Sequence, residues 1–339
     1  MSRRLKLEDL VSATGLSRAT IDRVIHGRPG VRSETKDRVQ AALLELGYAP
    51  NALSMMASHS KAQVQVFVSS GANPFFERLR AGLDRAIAHR RNDVATIEVE
   101  GFDPYDPSTL VNCLRSVDAA TTSVALVGVD CVEVTQAIDE LVARQVHVVT
   151  FVSDVPNSNR AAYVGQDNFF AGKTAGRMMA DLTSSGPGTV AVLLGHQQFR
   201  HLLERRSGFH QTLGGRRPEL SVVYTEPYGT CPDTATTIIE DLFADHPALV
   251  GLYLCGGGQP HLIDALLELK KPKPIIIGHE VNRKTRDALL KEVMNLVIAH
   301  DVFEVGSKAI DAAVDKSMHN YVPCAANIYV AENLPTDWK

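Results

Sequence analysis

The chain has 339 residues, 45% of them hydrophobic, and a formal net charge of −4. That length accommodates two or three domains with their own cores, and no run of about eighteen apolar residues is present to cross a membrane. The first residues lack the apolar stretch of an export signal, and the five cysteines (Cys113, Cys131, Cys231, Cys255 and Cys324) have neither CxxC nor Cys/His metal spacing; a cytoplasmic protein with reduced thiols, no metal and no cofactor is expected.

In chain order, Leu7, Leu10 and Val11 recur at helical spacing and predict a short amphipathic helix. Gly15 can adopt the left-handed conformation that stops it. Ser17 is a suitable N-cap for a second helix with an inner face of Ile21, Val24 and Ile25, which leaves Arg18, Ala19, Asp22 and Arg23 outward. Two short helices around a glycine turn make a helix-turn-helix, whose second helix enters the DNA major groove. A third helix is predicted from an N-cap at Ser33, with Val39, Leu43 and Leu46 as its stripe and Gly47 as its stop. Residues 1–61 hold ten basic and six acidic residues, a formal +4, which leaves −8 for the remainder. A cationic head on an anionic body suits a DNA-binding module joined to a small-molecule module, although a chance fluctuation also produces such a split.

The segments Gly-Leu-Ser-Arg-Ala-Thr-Ile-Asp-Arg-Val (15–24), Gly-Arg-Pro-Gly-Val-Arg (27–32) and Leu-Gly-Tyr-Ala-Pro-Asn (46–51) stand in register with one another. Together they resemble the headpiece of the lac-repressor family of bacterial transcription regulators over residues 5–58. The resemblance implies a homodimer that binds double-stranded operator DNA, a small effector that switches affinity, and a nucleoid-associated location away from any membrane. It implies that Arg18, Ala19 and Arg23 read base edges while Ser17 and Thr20 sit on phosphates. Asp22 would be repelled by phosphate unless it accepts from a cytosine amino group or pairs with Arg18 or Arg23. Asn51, Met56 and Ala57 fall in the implied hinge helix. Where the family commonly has a minor-groove leucine wedge this chain has Ala57, with Met56 adjacent.

Beyond a polar linker, strands and helices alternate. The strand candidates are 64–68, 94–99, 124–129, 146–151, 190–194, 220–225, 249–254 and 274–278. The helical candidates are 110–117, 132–144, 169–182, 199–213, 233–244 and 261–269. Alternation of this kind gives parallel, doubly wound sheets, and the strands are too many for one sheet, so two lobes are expected. The segments Asn73-Pro74-Phe75-Phe76, Tyr163 to Asn168, Arg205 before Gly208-Phe209, and Ile276 to Glu280 resemble the type 1 periplasmic sugar-binding proteins, ribose-type especially. The resemblance implies two Rossmann-like lobes with three crossovers, near 166–168, 300–301 and 325–327, and ligand in the cleft. The expected fold class is an all-α helix-turn-helix headpiece plus an α/β core. The expected domains are a headpiece at 1–50, a hinge and linker at 51–61, and a core at 62–339. Within the core, one lobe takes about 62–166 and 301–325, and the other about 167–300 and 326–339.

By the same resemblance, Asn73 bonds a sugar hydroxyl and Phe75 and Phe76 stack on the ring, one of them serving mainly as packing. Arg205 offers five fixed donors; Arg206 beside it reads as a solvated charge. Asp154 and Glu280 accept hydroxyl protons at strand ends. Asp130 is a candidate for the same role or a helix cap. Two positions depart from the ribose binders. Gly256 and Gly257 leave backbone N–H groups that favour an anion, or simply make a tight turn, and His300 stands where relatives often have Gln. A sugar acid, sugar phosphate or polyol suits such a site. No H-x-x-E-H, G-x-S-x-G or phosphate-loop motif supports an enzyme. The expectation is an effector-switched DNA-binding regulator, acting most simply as a repressor, with a two-lobed sugar-modifying enzyme or a sugar receptor as the alternatives.

Overall fold

The computed structural model describes residues 7–25, 31–46, 62–70, 74–90, 96–195, 199–225, 232–256, 260–268 and 274–334. The chain divides into two compact units, Met1–Gln63 with Arg91–Thr96, and Val64–Arg90 with Ile97–Lys339.

The first unit holds α1 (Leu7–Thr14), α2 (Arg18–Ile25) and α3 (Ser33–Glu45). Leu10, Ile21, Val24, Val39, Ala42 and Leu43 meet in its core, so one apolar stripe from each helix supplies the burial that such short helices need. The turn is fixed locally. Gly15 takes a φ of +64°, its N–H donates to Val11 O at 2.9 Å, and the Thr14 hydroxyl donates to Leu10 O at 2.6 Å. The N–H of Thr20 donates to Ser17 Oγ at 3.1 Å, which caps α2. Two expectations for α3 fail. Arg32 occupies its N-cap position without a side-chain cap bond, Ser33 being already helical. Leu46 lies at the C-cap, past the helix end, and is exposed.

The second unit contains two six-stranded sheets. The first lobe uses β1 (Gln63–Ser69), α4 (Pro74–Arg90), β2 (Thr96–Phe102), α5 (Pro107–Arg115), β3 (Ser123–Leu126), α6 (Val132–Ala143), β4 (His147–Phe151) and β5 (Ala162–Gly165). The second uses α7 (Asn168–Leu182), β6 (Gly188–Leu193), α8 (Arg200–Arg216), β7 (Leu220–Thr225), α9 (Pro232–Asp245), β8 (Leu249–Leu254), α10 (Pro260–Glu268), β9 (Ile275–His279), α11 (Arg283–Leu290) and β10 (Leu296–His300). The chain then returns for α12 (Val302–Val314) and β11 (Asn320–Pro323) before ending on β12 (Ala326–Tyr329). The sheet orders are β11-β5-β4-β3-β1-β2 and β12-β10-β9-β8-β6-β7, so the chain crosses between the lobes at 166–167, at Asp301 and at 324–325. The described pairings are parallel except β10 with β12. Central strands such as β3 are buried at every residue because helices cover both faces.

The pleat of the second sheet sorts its side chains between two layers of helices. Val190, Val192, Tyr253, Cys255, Ile277 and Ile298 pack with α7 and α8, whereas Ala191, Leu193, Leu252, Ile276, Val297 and Ala299 pack with α9 to α11. By that period of two, Cys255, His279 and His300 all lie on the α8 side.

Helices α7 and α8 cross at backbone contact. A methyl on Gly172 would lie 2.0 Å from Arg205 O, and one on Gly208 would lie 2.0 Å from Phe169 O. Gly208→Ala is therefore expected to destabilise the core by about 1–3 kcal/mol. Gly214→Ala in the same helix, with nothing within 4 Å of the added methyl, is expected to be neutral or stabilising by up to about 1 kcal/mol. Urea melts of the two variants check this, and equal stabilities would contradict the close crossing.

Candidate functional site

On the headpiece, burial of Ile21 and Val24 turns the opposite face of α2 outward. Ser17, Arg18, Ala19 and Arg23 are exposed and Thr20 is half-exposed, so the structure brings these candidate DNA contacts onto one surface. Arg18 Nη1 stands 4.0 Å from Glu8, with both side chains more than two-thirds exposed. Such a pair contributes little and leaves the guanidinium available. The side chain of Asp22, and Asn51, Met56 and Ala57, lie outside the described residues.

In the core, the site forms around Arg205 on α8, which is 2% exposed. Its Nε donates to Asn168 Oδ1 at 2.9 Å, its Nη1 to the Cys255 carbonyl at 3.3 Å and its Nη2 to Glu280 Oε1 at 3.4 Å. Those partners come from the start of α7, the end of β8 and the end of β9. Glu280 reaches Arg205 because its φ is +63°. Continuing the pleat would have sent its side chain to the opposite face, and the left-handed residue turns it back, at a cost of about 1–2 kcal/mol. Thr285 Oγ1 holds the Glu280 carbonyl at 3.0 Å.

Around this ion pair lie further polar groups. Gln166 Nε2 donates to Asn168 Oδ1 at 3.0 Å, and Asn168 Nδ2 to Tyr163 Oη at 3.2 Å. His300 Nδ1 is 3.4 Å from Glu280 Oε1, a contact without hydrogen-bond geometry, since neither ring nitrogen of His300 has a hydrogen-bond partner among the described residues. His279 pairs through Nε2 with Tyr253 Oη at 2.7 Å. His201 precedes Arg205 by four residues and so shares its face of α8. Burial, and then the Arg205 charge, hold His201 and His279 well below the ordinary imidazole range. Burial likewise lowers His300 against the opposing pull of Glu280. The Cys255 thiol is pushed up to about 12 by burial, so it is protonated packing beside the site.

The structure gathers Arg205, Glu280, His300 and Phe75 together. The Phe75 and His300 rings lie edge to face at 5.6 Å, and Phe76 is behind Phe75 at 5.1 Å. It also separates Arg205 from Arg206, which lies half-buried over the Tyr224 ring at 5.7 Å. Asp154 does not offer a free carboxylate to the cleft. Arg160 binds both its oxygens at 2.6 and 2.5 Å, and the Thr150 hydroxyl and Val155 N–H complete its shell, so it closes the 150–160 loop. Asp130 neither caps α6, whose N-cap position is Cys131, nor stands free, since it lies 3.6 Å from Arg200 of the second lobe. A further link between the lobes runs from Arg78 on α4 to the Val281 carbonyl. Gly256 directly follows the Cys255 carbonyl that holds Arg205; Asn73 and Gly257 lie outside the described residues. The sequence reading assigned no role to Asn168, Gln166 or His201. The first two stood inside a family-like segment, but a lone helical His carries no signal of its own.

Comparison with known proteins fits both parts. The periplasmic binding protein domain family matches residues 64–319, and the lacI family of bacterial regulatory proteins matches residues 6–51. The chain belongs to the periplasmic-binding-protein family over its core, behind a lacI-family headpiece. The "HTH-type transcriptional regulator MalR" of Streptomyces coelicolor is 26% identical over 209 residues, 61% of this chain and 59% of MalR. "Catabolite control protein A" of Staphylococcus aureus is 31% identical over 110 residues, 32% of this chain and 33% of that protein. The matches thus span between a third and three fifths of these two relatives. Among solved structures, a solute binding protein of Burkholderia graminis in complex with D-arabinose aligns with a TM-score of 0.74 at 20% identity, over 83% of this chain and 99% of that one. A putative LacI transcriptional regulator of Bacteroides fragilis aligns with 0.73 at 16%, over 81% and 98%. Among the described residues no helix is long and apolar enough to cross a membrane.

The three depressed histidines make stability pH-dependent. Folding keeps them neutral, whereas the unfolded chain protonates them below about pH 6.5. The unfolded state then binds more protons, so their contribution is complete above that pH and is lost as the pH falls below it. The thermal midpoint is expected to drop between about pH 7 and 5, and His300→Gln to flatten the drop. A His300→Gln protein with the wild-type slope would contradict the assignment.

Proposed function

We propose that this protein is a transcription regulator, in the simplest case a repressor, that binds operator DNA through α2 as a homodimer. A small carbohydrate-like effector in the cleft between the core lobes would switch its affinity. The observation that carries the reading is the pairing of a lacI-family headpiece, with Arg18, Ala19 and Arg23 outward, and a binding-protein core whose polar residues converge on a buried guanidinium. The relatives named as regulators support it, as do neighbours of the core solved with D-arabinose and with D-fucose. We assign residues 1–50 to the headpiece, 51–61 to the hinge and linker and 62–339 to the effector core, and place the protein in the cytoplasm, acting by binding and not by catalysis.

A dimer follows from what binding requires. One headpiece buries too little for tight specific recognition, and two read half-sites about one helical turn apart. Ligand in the cleft would shift operator affinity by no more than its differential affinity for the two lobe arrangements.

Gel shifts with the DNA upstream of the protein's own operon, with and without candidate sugars, test the reading; absence of any specific shift would overturn it. Arg18→Ala is expected to cost about 1–3 kcal/mol at the operator and to relax discrimination at one base position. The check is titration against single-base operator variants at fixed salt, because phosphate contacts make each affinity salt-dependent. Unchanged affinity and base preference would remove Arg18 from the recognition face.

A further inference from the structure

We infer that the cleft ligand is an uncharged polyhydroxylated molecule, a neutral sugar or cyclic polyol, and that His201 is one of the residues that select it. The inference rests on the reading of the cleft as the effector site and narrows its ligand.

The first argument is charge. Arg205 is the cation of the site, and its Nε, Nη1 and Nη2 are already directed at Asn168, the Cys255 carbonyl and Glu280. Glu280 is the matching anion, its side chain 7% exposed. The other acids nearby are committed elsewhere, Asp154 to Arg160 and Glu204 to Arg200, and Asp301 caps α12. The site around the ion pair is therefore balanced before ligand enters. A carboxylate or phosphate would bring a second anion beside Glu280 into a buried place, and an ammonium would face Arg205; either is penalised by desolvation without a fresh partner.

The second argument is the hydrogen-bond inventory. Gln166 Oε1, His201 Nδ1, His300 Nδ1 and His300 Nε2 are buried and have no hydrogen-bond partner among the described residues. They ring one guanidinium. Gln166 is tied through Asn168 to Arg205 Nε, His300 touches Glu280, and His201 lies one helical turn before Arg205. Leaving such atoms unpaired is expensive. A neutral imidazole has one donor and one acceptor nitrogen, and a glutamine oxygen only accepts. A carboxylate cannot donate to Gln166. Hydroxyl groups donate and accept, so several on one ring satisfy acceptors and donors that arrive from the end of β5, the first turn of α8 and the end of β10. Phe75 adds an apolar edge against His300 for the CH face of such a ring.

The test is calorimetry and thermal shift on the full chain with matched probes. Neutral pentoses, hexoses, myo-inositol and mannitol are set against glucuronate, galacturonate, ribose 5-phosphate and glucose 6-phosphate, with hypoxanthine as a flat heterocycle. The expected result is at least one neutral sugar or polyol that binds, its charged counterpart at least ten-fold weaker. His201→Phe is expected to weaken that ligand at least ten-fold while the variant keeps wild-type circular dichroism, and His201→Gln, which restores a polar atom, to recover part of the loss. A charged probe or hypoxanthine binding as tightly as any neutral one, or full affinity in His201→Phe, would overturn the inference, and a panel in which no neutral member binds counts against it. The two readings fail separately. A sugar acid that binds and releases operator leaves the regulator standing and removes this inference. A neutral sugar that binds without changing operator affinity does the reverse.

Discussion

A single buried guanidinium sets the terms for the core of this protein. Arg205 sits out of water, where a charge is tolerated only with partners on its N–H groups. Those partners arrive from the ends of three different elements. Its own position depends on an uncharged backbone contact, the glycine-to-backbone crossing of α7 and α8 at Gly172 and Gly208. A larger residue at either glycine would separate the helices and carry Arg205 away from Asn168. The left-handed backbone at Glu280 completes the pair from the other side. Packing, strain and electrostatics thus converge on one place, at the carboxyl ends of the parallel strands.

Among the described residues, the first lobe reaches this place through Tyr163, whose hydroxyl accepts from Asn168, and at three further points. Phe75 meets His300, Arg78 bonds the Val281 carbonyl and Asp130 faces Arg200. A partly exposed ion pair such as Asp130–Arg200 is weak, so a bound ligand can outweigh it. Any ligand that contacts both lobes would then favour one arrangement of the three crossovers, and the energy it transmits is reciprocal between its own site and whatever that arrangement controls.

Much of this was legible in the sequence, unevenly. The inner face of α2 and the outward Arg18 and Arg23 follow from helical spacing, and the central strands β1, β3, β4, β6, β8 and β9 from apolar runs that need cover on both faces, whereas the equally buried β5 and β10 are not among the strand candidates. The edge strands β11 and β12 were passed over because their residues are mostly exposed and carry no apolar run. Glu280 and His300 were found through resemblance to a family, since nothing local marks them. Asp154 shows the limit of that route. Its type and position suggested a ligand contact, but only the folded loop reveals Arg160 taking both its oxygens. His201 shows the converse. Its four-residue spacing from Arg205 was visible, yet its meaning depends on the burial of Arg205, a property of the tertiary crossing and not of the helix.

The central claim is that the Arg205 site controls DNA binding by the headpiece. The most direct measurement is operator affinity, at one salt concentration, for the wild type and for Arg205→Met with and without the ligand that the wild type binds. The account predicts that the wild type changes affinity on adding ligand, and that a folded Arg205→Met protein binds operator as the unliganded wild type does and shows no response. A full ligand response in Arg205→Met would contradict it.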